Sequence, residues 1–150
     1  MKDRIIGSQL VSLLTTDSTN DYAKDMLEGD LPEEGLVIVA GEQKKGRGYG
    51  SSTWYSGRGK NLLFTVILYP DFVAANQQFL ISKTISLGLF DYLSDYISDV
   101  SIKWPNDIYV EDRKIAGILI ENDLVGSVLK DSIVGIGLNL NEDHFPGDIP

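Results

Sequence analysis

From residue 100 onward the chain leaves no room for crossover helices. Val100–Trp104, Asp107–Val110 and Lys114–Glu121 are short apolar-rich runs separated by no more than three residues. Strands joined that tightly pair antiparallel, because parallel neighbours need a connection of about a dozen residues or more. Glu111-Asp112-Arg113 reads as a polar three-residue hairpin connection. Asn122–Asp131 reads as a loop or irregular hairpin, and Ser132–Leu140 as a further strand. Gly135 and Gly137 recur there with the period of one sheet face. Glycine weakens a strand and marks a place where something approaches the backbone closely.

The first hundred residues read differently. Gln9–Leu14 is a short strand. Ser18 offers an N-cap oxygen with Asp21 three residues on, and Tyr22, Ala23, Met26 and Leu27 share a helical face that Gly29 ends. Leu36–Ala40 and Asn61–Tyr69 are apolar runs of strand length. Ala75–Ile97 carries Phe79, Ile85, Leu89, Leu93 and Ile97 at roughly helical spacing. About six strands and two helices, without regular strand–helix alternation, predict an α+β fold. The expected form is a mixed, mainly antiparallel sheet with helices on one face.

The chain has 150 residues, enough for one domain with a core, and the 43% hydrophobic content excludes a largely disordered chain. No apolar stretch is long enough for a transmembrane helix, and no signal peptide is visible, so no membrane partner is expected. With no cysteine, disulfides, thiolate metal sites and thiol nucleophiles are excluded, and a reducing cytoplasmic setting fits. A net charge of −9 argues against a nucleic-acid partner. Yet Lys44–Lys60 holds five basic residues and no acidic one. That pattern suggests a local anion site in an acidic protein.

Two constellations could carry chemistry, and a third, Lys114-Ile115-Ala116-Gly117-Ile118-Leu119-Ile120-Glu121, reads mainly as core strand with Gly117 admitting something close. In Gln43-Lys44-Lys45-Gly46-Arg47-Gly48-Tyr49-Gly50-Ser51-Ser52-Thr53-Trp54, glycines free the backbone amides, Arg47 supplies a planar fork for carboxylate or phosphate, and Trp54 offers an apolar wall. The spacing matches neither a P-loop nor a dinucleotide fingerprint. The loop from Lys45 to Ser52 is expected to be poorly ordered without ligand, since Arg47 has no evident partner. In Lys103-Trp104-Pro105-Asn106-Asp107, a lysine at a strand end can serve as a point charge for an anion. Asn106 and Asp107 suit either a turn or a metal–phosphate unit; Asp107 is the carboxylate placed for a metal, and no residue is assigned as a definite ligand. Trp104 reads mainly as a packing anchor, and His144 as a loop residue.

Taken in order, Ser18-Thr19-Asn20, Gln43 with Gly46-Arg47-Gly48, Lys103-Trp104-Pro105-Asn106-Asp107, Lys114–Glu121 and Gly135–Asn139 resemble the catalytic domain of biotin protein ligase, from about Ile5 to Asn141. The resemblance implies a fold similar to class II aminoacyl-tRNA synthetases. It implies an ATP-dependent ligase that forms biotinyl-5′-adenylate and transfers the biotinyl group to a lysine of a biotin carrier domain, with Mg²⁺ accompanying ATP. By position it implies Lys103 and Arg47 as catalytic cations. Ser18, Thr19, Asn20, Gln43, Gly46, Trp54 and Gly117 would form the biotin site, and Arg47, Gly48, Lys103, Asn106 and Asn139 the nucleotide site. The implied partners are biotin, ATP and the carrier domain and, where the chain self-associates, a second copy in a homodimer.

Departures from the family pattern qualify this. Tyr49, Gly50, Ser51 and Ser52 stand where the family usually continues with further cations. The family normally continues beyond the point reached at Pro150, so residues 1–150 read as a catalytic core lacking the C-terminal part. No winged-helix segment precedes that core, so DNA binding is not expected. The alternatives are a lipoate ligase-like enzyme of the same fold and a truncated module that holds biotin or nucleotide without turnover.

Overall fold

The computed structural model describes residues 6–146; Ile5 and Pro150, the outer limits named above, lie outside them. The elements run β1 (Leu10–Leu13), α1 (Thr19–Leu27), β2 (Val37–Ala40), β3 (Leu62–Leu68), a 3₁₀ turn (Ala75–Gln77), α2 (Phe79–Ser94), β4 (Val100–Lys103), β5 (Asp107–Val110), β6 (Arg113–Val125) and β7 (Val128–Leu138). The strands form one sheet in the order β1-β2-β3-β7-β6-β5-β4. β1 and β2 are parallel, as the intervening α1 requires, and every other neighbouring pair is antiparallel.

The α+β class and mixed, mainly antiparallel sheet agree with the sequence reading. The helices, however, pack on opposite faces. In β3, Ile67 joins the cluster beneath α1 with Ala23, Ile38 and Ile133, whereas the adjacent Val66 joins Val134 with Ile81 and Ile85 of α2. Successive strand residues point to opposite faces, so these pairs separate the two cores. The apolar runs of β3 and β7 are continuous because both faces are covered.

Of the two forms expected for Asn122–Asp131, a loop or an irregular hairpin, the hairpin is formed: β6 and β7 meet through Gly126 and Ser127, with Gly126 at φ +61° and a register shift between Asp123 and Leu124. The connection expected at Glu111-Asp112-Arg113 is shorter than three residues: Val110 pairs with Arg113, leaving only Glu111 and Asp112 in the turn, where Glu111 has φ +52°.

Candidate functional site

Strand register places the site. Leu13, Ala40, Leu63, Gly137, Gly117, Asp107 and Lys103 form one row across the sheet, on the α1 face. A second row brings Ile38, Thr65, Gly135 and Leu119 under the start of α1. Asp107, Gly117 and Gly137 of the first row and Gly135 and Leu119 of the second form the floor of a cavity of about 280 Å³, with the α1 N-terminus at one end and the loop through Arg47 and Trp54 around it.

The glycines of this floor have defined tasks. A Cβ at Gly117 would come 2.7 Å from Trp54 Cζ3, and one at Gly137 would come 2.6 Å from Trp54 Nε1. A Cβ at Gly135 would come 2.9 Å from Asn20 Cγ. The close approach expected from the sequence is therefore made by the protein's own Trp54 and Asn20. Trp54 Nε1 is buried there without a hydrogen-bond partner. Gly46, which lines a neighbouring cavity instead, admits the Trp54 carbonyl where a side chain would overlap it.

A polar network organises the α1 end. Ser18 caps the helix, its Oγ accepting from Asp21 N at 3.5 Å. Gln43 Oε1 accepts from Thr19 N at 2.7 Å and from Thr19 Oγ1 at 2.9 Å, which leaves Gln43 Nε2 without a protein partner among the described residues. Fully buried Thr65 places its hydroxyl 2.8 Å from Thr19 Oγ1 and 2.7 Å from Asn20 Oδ1. Asn20 Nδ2 donates to Glu121 at 3.0 Å and to the Leu119 carbonyl at 3.3 Å. Both ends of the Asn20 amide are thus engaged by protein, so it anchors α1 to the sheet. Ser18, Thr19 and Asn20 are nearly inaccessible although they border the cavity.

The loop cation is paired, contrary to the sequence expectation. Arg47 Nη1 donates to Asp21, and Nη2 donates to Glu121 Oε1 at 2.7 Å. Lys45 pairs with Asp17 at 2.7 Å. The loop itself is closed by Trp54 N donating to the Gly46 carbonyl and Gly48 N to the Ser52 carbonyl, each at 2.9 Å. Hydrogen bonding to Glu121 pushes the Arg47 guanidinium pKa further up. Burial would raise the Glu121 pKa, but Lys24, Asn20 and Arg47 outweigh it and hold the carboxyl below its ordinary value.

The Lys103–Asp107 segment divides its tasks. Lys103 Nζ lies 3.5 Å from Tyr109 Oη and 4.8 Å from that ring's centroid, on the site row but outside the cavity wall. Trp104 is 78% exposed, so the packing role expected for it is not realised; it follows the last residue of β4, and its ring stands 6.3 Å from the Phe79 ring, tilted by 55°. The Trp104–Pro105 peptide is cis. Asn106 pins the corner, its Nδ2 donating to the Ile118 carbonyl at 2.5 Å and its own carbonyl accepting from Ile118 N at 3.0 Å. Asp107 is paired with Lys114 at 2.9 Å. Among the described residues, no three histidine, cysteine or acidic side chains converge as a metal cage. Asn139 lies off the cavity wall with Oδ1 buried and unpartnered, and Nδ2 3.4 Å from the Lys114 carbonyl. His144 is exposed.

Lys114, Thr65, Asp21, Lys24 and Glu121 were missed as site residues. Thr65 had a visible signal, a hydroxyl inside an apolar strand. Lys114 had none. It reaches the Gly117 face because Ile108 pairs with Ala116 and Tyr109 with Lys114, which leaves Ile115 as a bulge. Its Nζ then stands 5.6 Å from the Trp54 ring centroid.

The mixed sheet, with a polar-ended pocket beneath a glycine–arginine loop, has the class II aminoacyl-tRNA synthetase-like fold. The chain belongs to the Biotin/lipoate A/B protein ligase family, whose model matches residues 13–139. It is 31% identical to the bifunctional ligase/repressor BirA of Bacillus spizizenii, over 99% of this chain and 46% of that protein. It is 35% identical to the biotin–[acetyl-CoA-carboxylase] ligase of Paracoccus denitrificans, over 85% of this chain and 53% of that protein. The biotin protein ligase of Aquifex aeolicus, solved in complex with biotin and ATP, superposes with a TM-score of 0.74 at 31% identity, covering 95% of this chain and 56% of that one. The chain spans about half the length of these relatives.

Proposed function

We propose that this chain is the biotin-activating core of an ATP-dependent biotin protein ligase. A biotin carboxylate oxygen attacks the α-phosphorus of ATP, forming biotinyl-5′-adenylate and releasing pyrophosphate. The amine of a carrier-domain lysine then attacks the acyl carbon, forming an amide and releasing AMP. The observation that carries the reading is the pocket itself, which sets neutral hydrogen-bonding groups at its α1 end, Arg47 beside them on Asp21 and Glu121, and Lys114 near Trp54. Ser18 Oγ and the free Gln43 Nε2 suit the ureido head of biotin, with Thr19 fixing the Gln43 amide. Trp54 and the Gly117–Gly137 floor suit the aliphatic tail.

The first step brings two anions together. Arg47 in the loop, Lys114 at the cavity wall and Lys103 on the same row would offset that repulsion and stabilise charge in the transition state. The unpartnered Asn139 Oδ1 suits a nucleobase amino group, while Gly48 N is already donated within the loop. Asn106 acts by holding the corner beneath the nucleotide. Among the described residues no resident Mg²⁺ site is formed, and Asp107 is taken by Lys114. The ion would belong to MgATP, and no step is assigned through it. No helix among the described residues is long and apolar enough to cross a membrane.

Incubation with biotin, MgATP and a biotin carrier domain tests the proposal. The expected result is one biotinyl mass increment on the carrier, and none with lipoate. Lipoate transfer would reassign the substrate, biotin binding without adenylate would leave a binding module, and failure to bind biotin would overturn the reading.

A further inference from the structure

Glu121 does not line the cavity, yet three site-bearing side chains converge on it. It sits on the site face of β6, opposite Ile133 and beside α1. Lys24 Nζ donates to it at 2.6 Å, Arg47 Nη2 at 2.7 Å and Asn20 Nδ2 at 3.0 Å. One carboxylate therefore ties the helix, the loop and the sheet together. Its side chain is only 20% exposed, so solvent screens these contacts less than a fully exposed pair.

Two mechanical roles are conceivable for such a carboxylate. As a lock, it would have to release Arg47 before an anionic ligand could bind. As a seat, it would hold Arg47 while the ligand binds. Donor arithmetic favours the seat. A guanidinium has five N–H donors in a rigid fork. Asp21 and Glu121 engage three, counting the long 3.4 Å contact from Nη1 to Glu121 Oε2. The remaining Nη2 hydrogen and Nε–H have no protein partner among the described residues, and Arg47 borders the cavity. Lys24 and Asn20 would keep Glu121 compensated if the Arg47 contact weakened.

We infer that Glu121 is a positioning residue for Arg47, orienting its two free donors toward the phosphate of an acyl-adenylate. This deepens the proposed function and rests on it. Fixing the guanidinium in advance removes part of the ordering cost that ligand binding would otherwise meet. Glu121→Gln preserves shape while removing the charge. Asn20 stays held by Thr65 and the Leu119 carbonyl, so the head end of the pocket is retained.

The experiment compares biotin with biotinol-5′-adenylate, a stable analogue that keeps the phosphate, by calorimetry. Glu121→Gln should weaken the analogue about tenfold, the scale of one charge-assisted hydrogen bond, and leave biotin nearly unchanged. It should also speed ligand-free amide exchange across residues 46–54. In an Arg47→Ala background, the same substitution should have no further effect on the analogue. Equal effects in both backgrounds, tighter analogue binding, or unchanged loop exchange would each overturn the inference. If Glu121→Gln does not fold, Glu121→Asp carries the test: a shorter arm should weaken the analogue several-fold without affecting biotin, and equal losses refute the role. Wild-type failure to bind either ligand instead refutes the proposed function, while loop exchange still reports Glu121–Arg47 coupling.

Discussion

Gly137→Ala tests whether the glycine floor is a seat for Trp54. Gly137 lacks a positive φ, so alanine can adopt its backbone. The new Cβ would instead meet Trp54 Nε1 at 2.6 Å and Cζ2 at 2.7 Å. Ordinary carbon contacts lie near 3.5–4.0 Å, so the indole must retreat by about 1 Å. Overpacking of this kind costs about 1–3 kcal/mol. Alanine recovers roughly 0.4–1 kcal/mol by restricting the unfolded chain. The expected net loss is about 1–2 kcal/mol, or roughly 2–8 °C in Tm for a domain of this size. Denaturation in a Trp104→Phe background isolates Trp54 fluorescence, since the other indole is exposed. Emission should shift to the red as Trp54 leaves its seat. In a Trp54→Ala background, Gly137→Ala should be neutral or slightly stabilising. Equal destabilisation with and without the indole would show that the cost lies in β7 and refute the reasoning.

Lys103→Ala should leave stability nearly unchanged, because Lys103 is exposed and its side-chain contact is to Tyr109, but should slow biotin-dependent ATP–pyrophosphate exchange more than about a hundredfold; near-normal exchange removes it from the chemistry. Thr65→Val keeps the side-chain volume but strips hydrogen bonds from buried Thr19 and Asn20, so denaturation should show a loss of about 1–3 kcal/mol. Because Glu121 titrates below its ordinary value in the folded protein, the closure it supports should be complete above the unfolded-state value near ~4.3 and be lost as pH falls through the lower folded value. Trp54 emission in the Trp104→Phe background should therefore stay flat from neutrality to about pH 4.5; a transition between about pH 7 and 6 would exclude Glu121 as its source.

The fold was legible where one residue type decides one local outcome. Ser18 started α1, Gly29 followed its end, and the tight connections after residue 100 required antiparallel pairing. The helices were misplaced because an apolar run such as Leu62–Leu68 looks the same whether one face or both are covered. Charged residues in Asn122–Asp131 left loop and hairpin equally open, since hydrogen-bond pairing does not require apolar side chains. Ser18, Thr19, Gln43, Arg47, Trp54 and Gly117 were brought together at the pocket, but their local pattern could not reveal what each touches. Arg47 looked unpaired because Asp21 and Glu121 are distant in sequence, and the bulge that turns Lys114 inward leaves no compositional mark.

The two sheet faces divide the work of the chain. Behind the sheet, α2 covers apolar residues such as Ile108, Ala116, Val134 and Leu138. On the site face, the chain neighbours of those residues are Asp107, Gly117, Gly135 and Gly137. Each apolar residue behind the sheet thus fixes the height of a small or charged residue in front of it. Glycine gives up side-chain packing on one face so that Trp54 and Asn20 can approach, while buried neighbours on the other face keep the strands in place. A cavity cut behind the sheet should consequently disturb ligand binding through strand position as well as stability, whereas a change at Lys103 should affect chemistry alone. That separation follows from strand alternation, and it explains why glycines that weaken isolated strands can persist in the middle of this sheet.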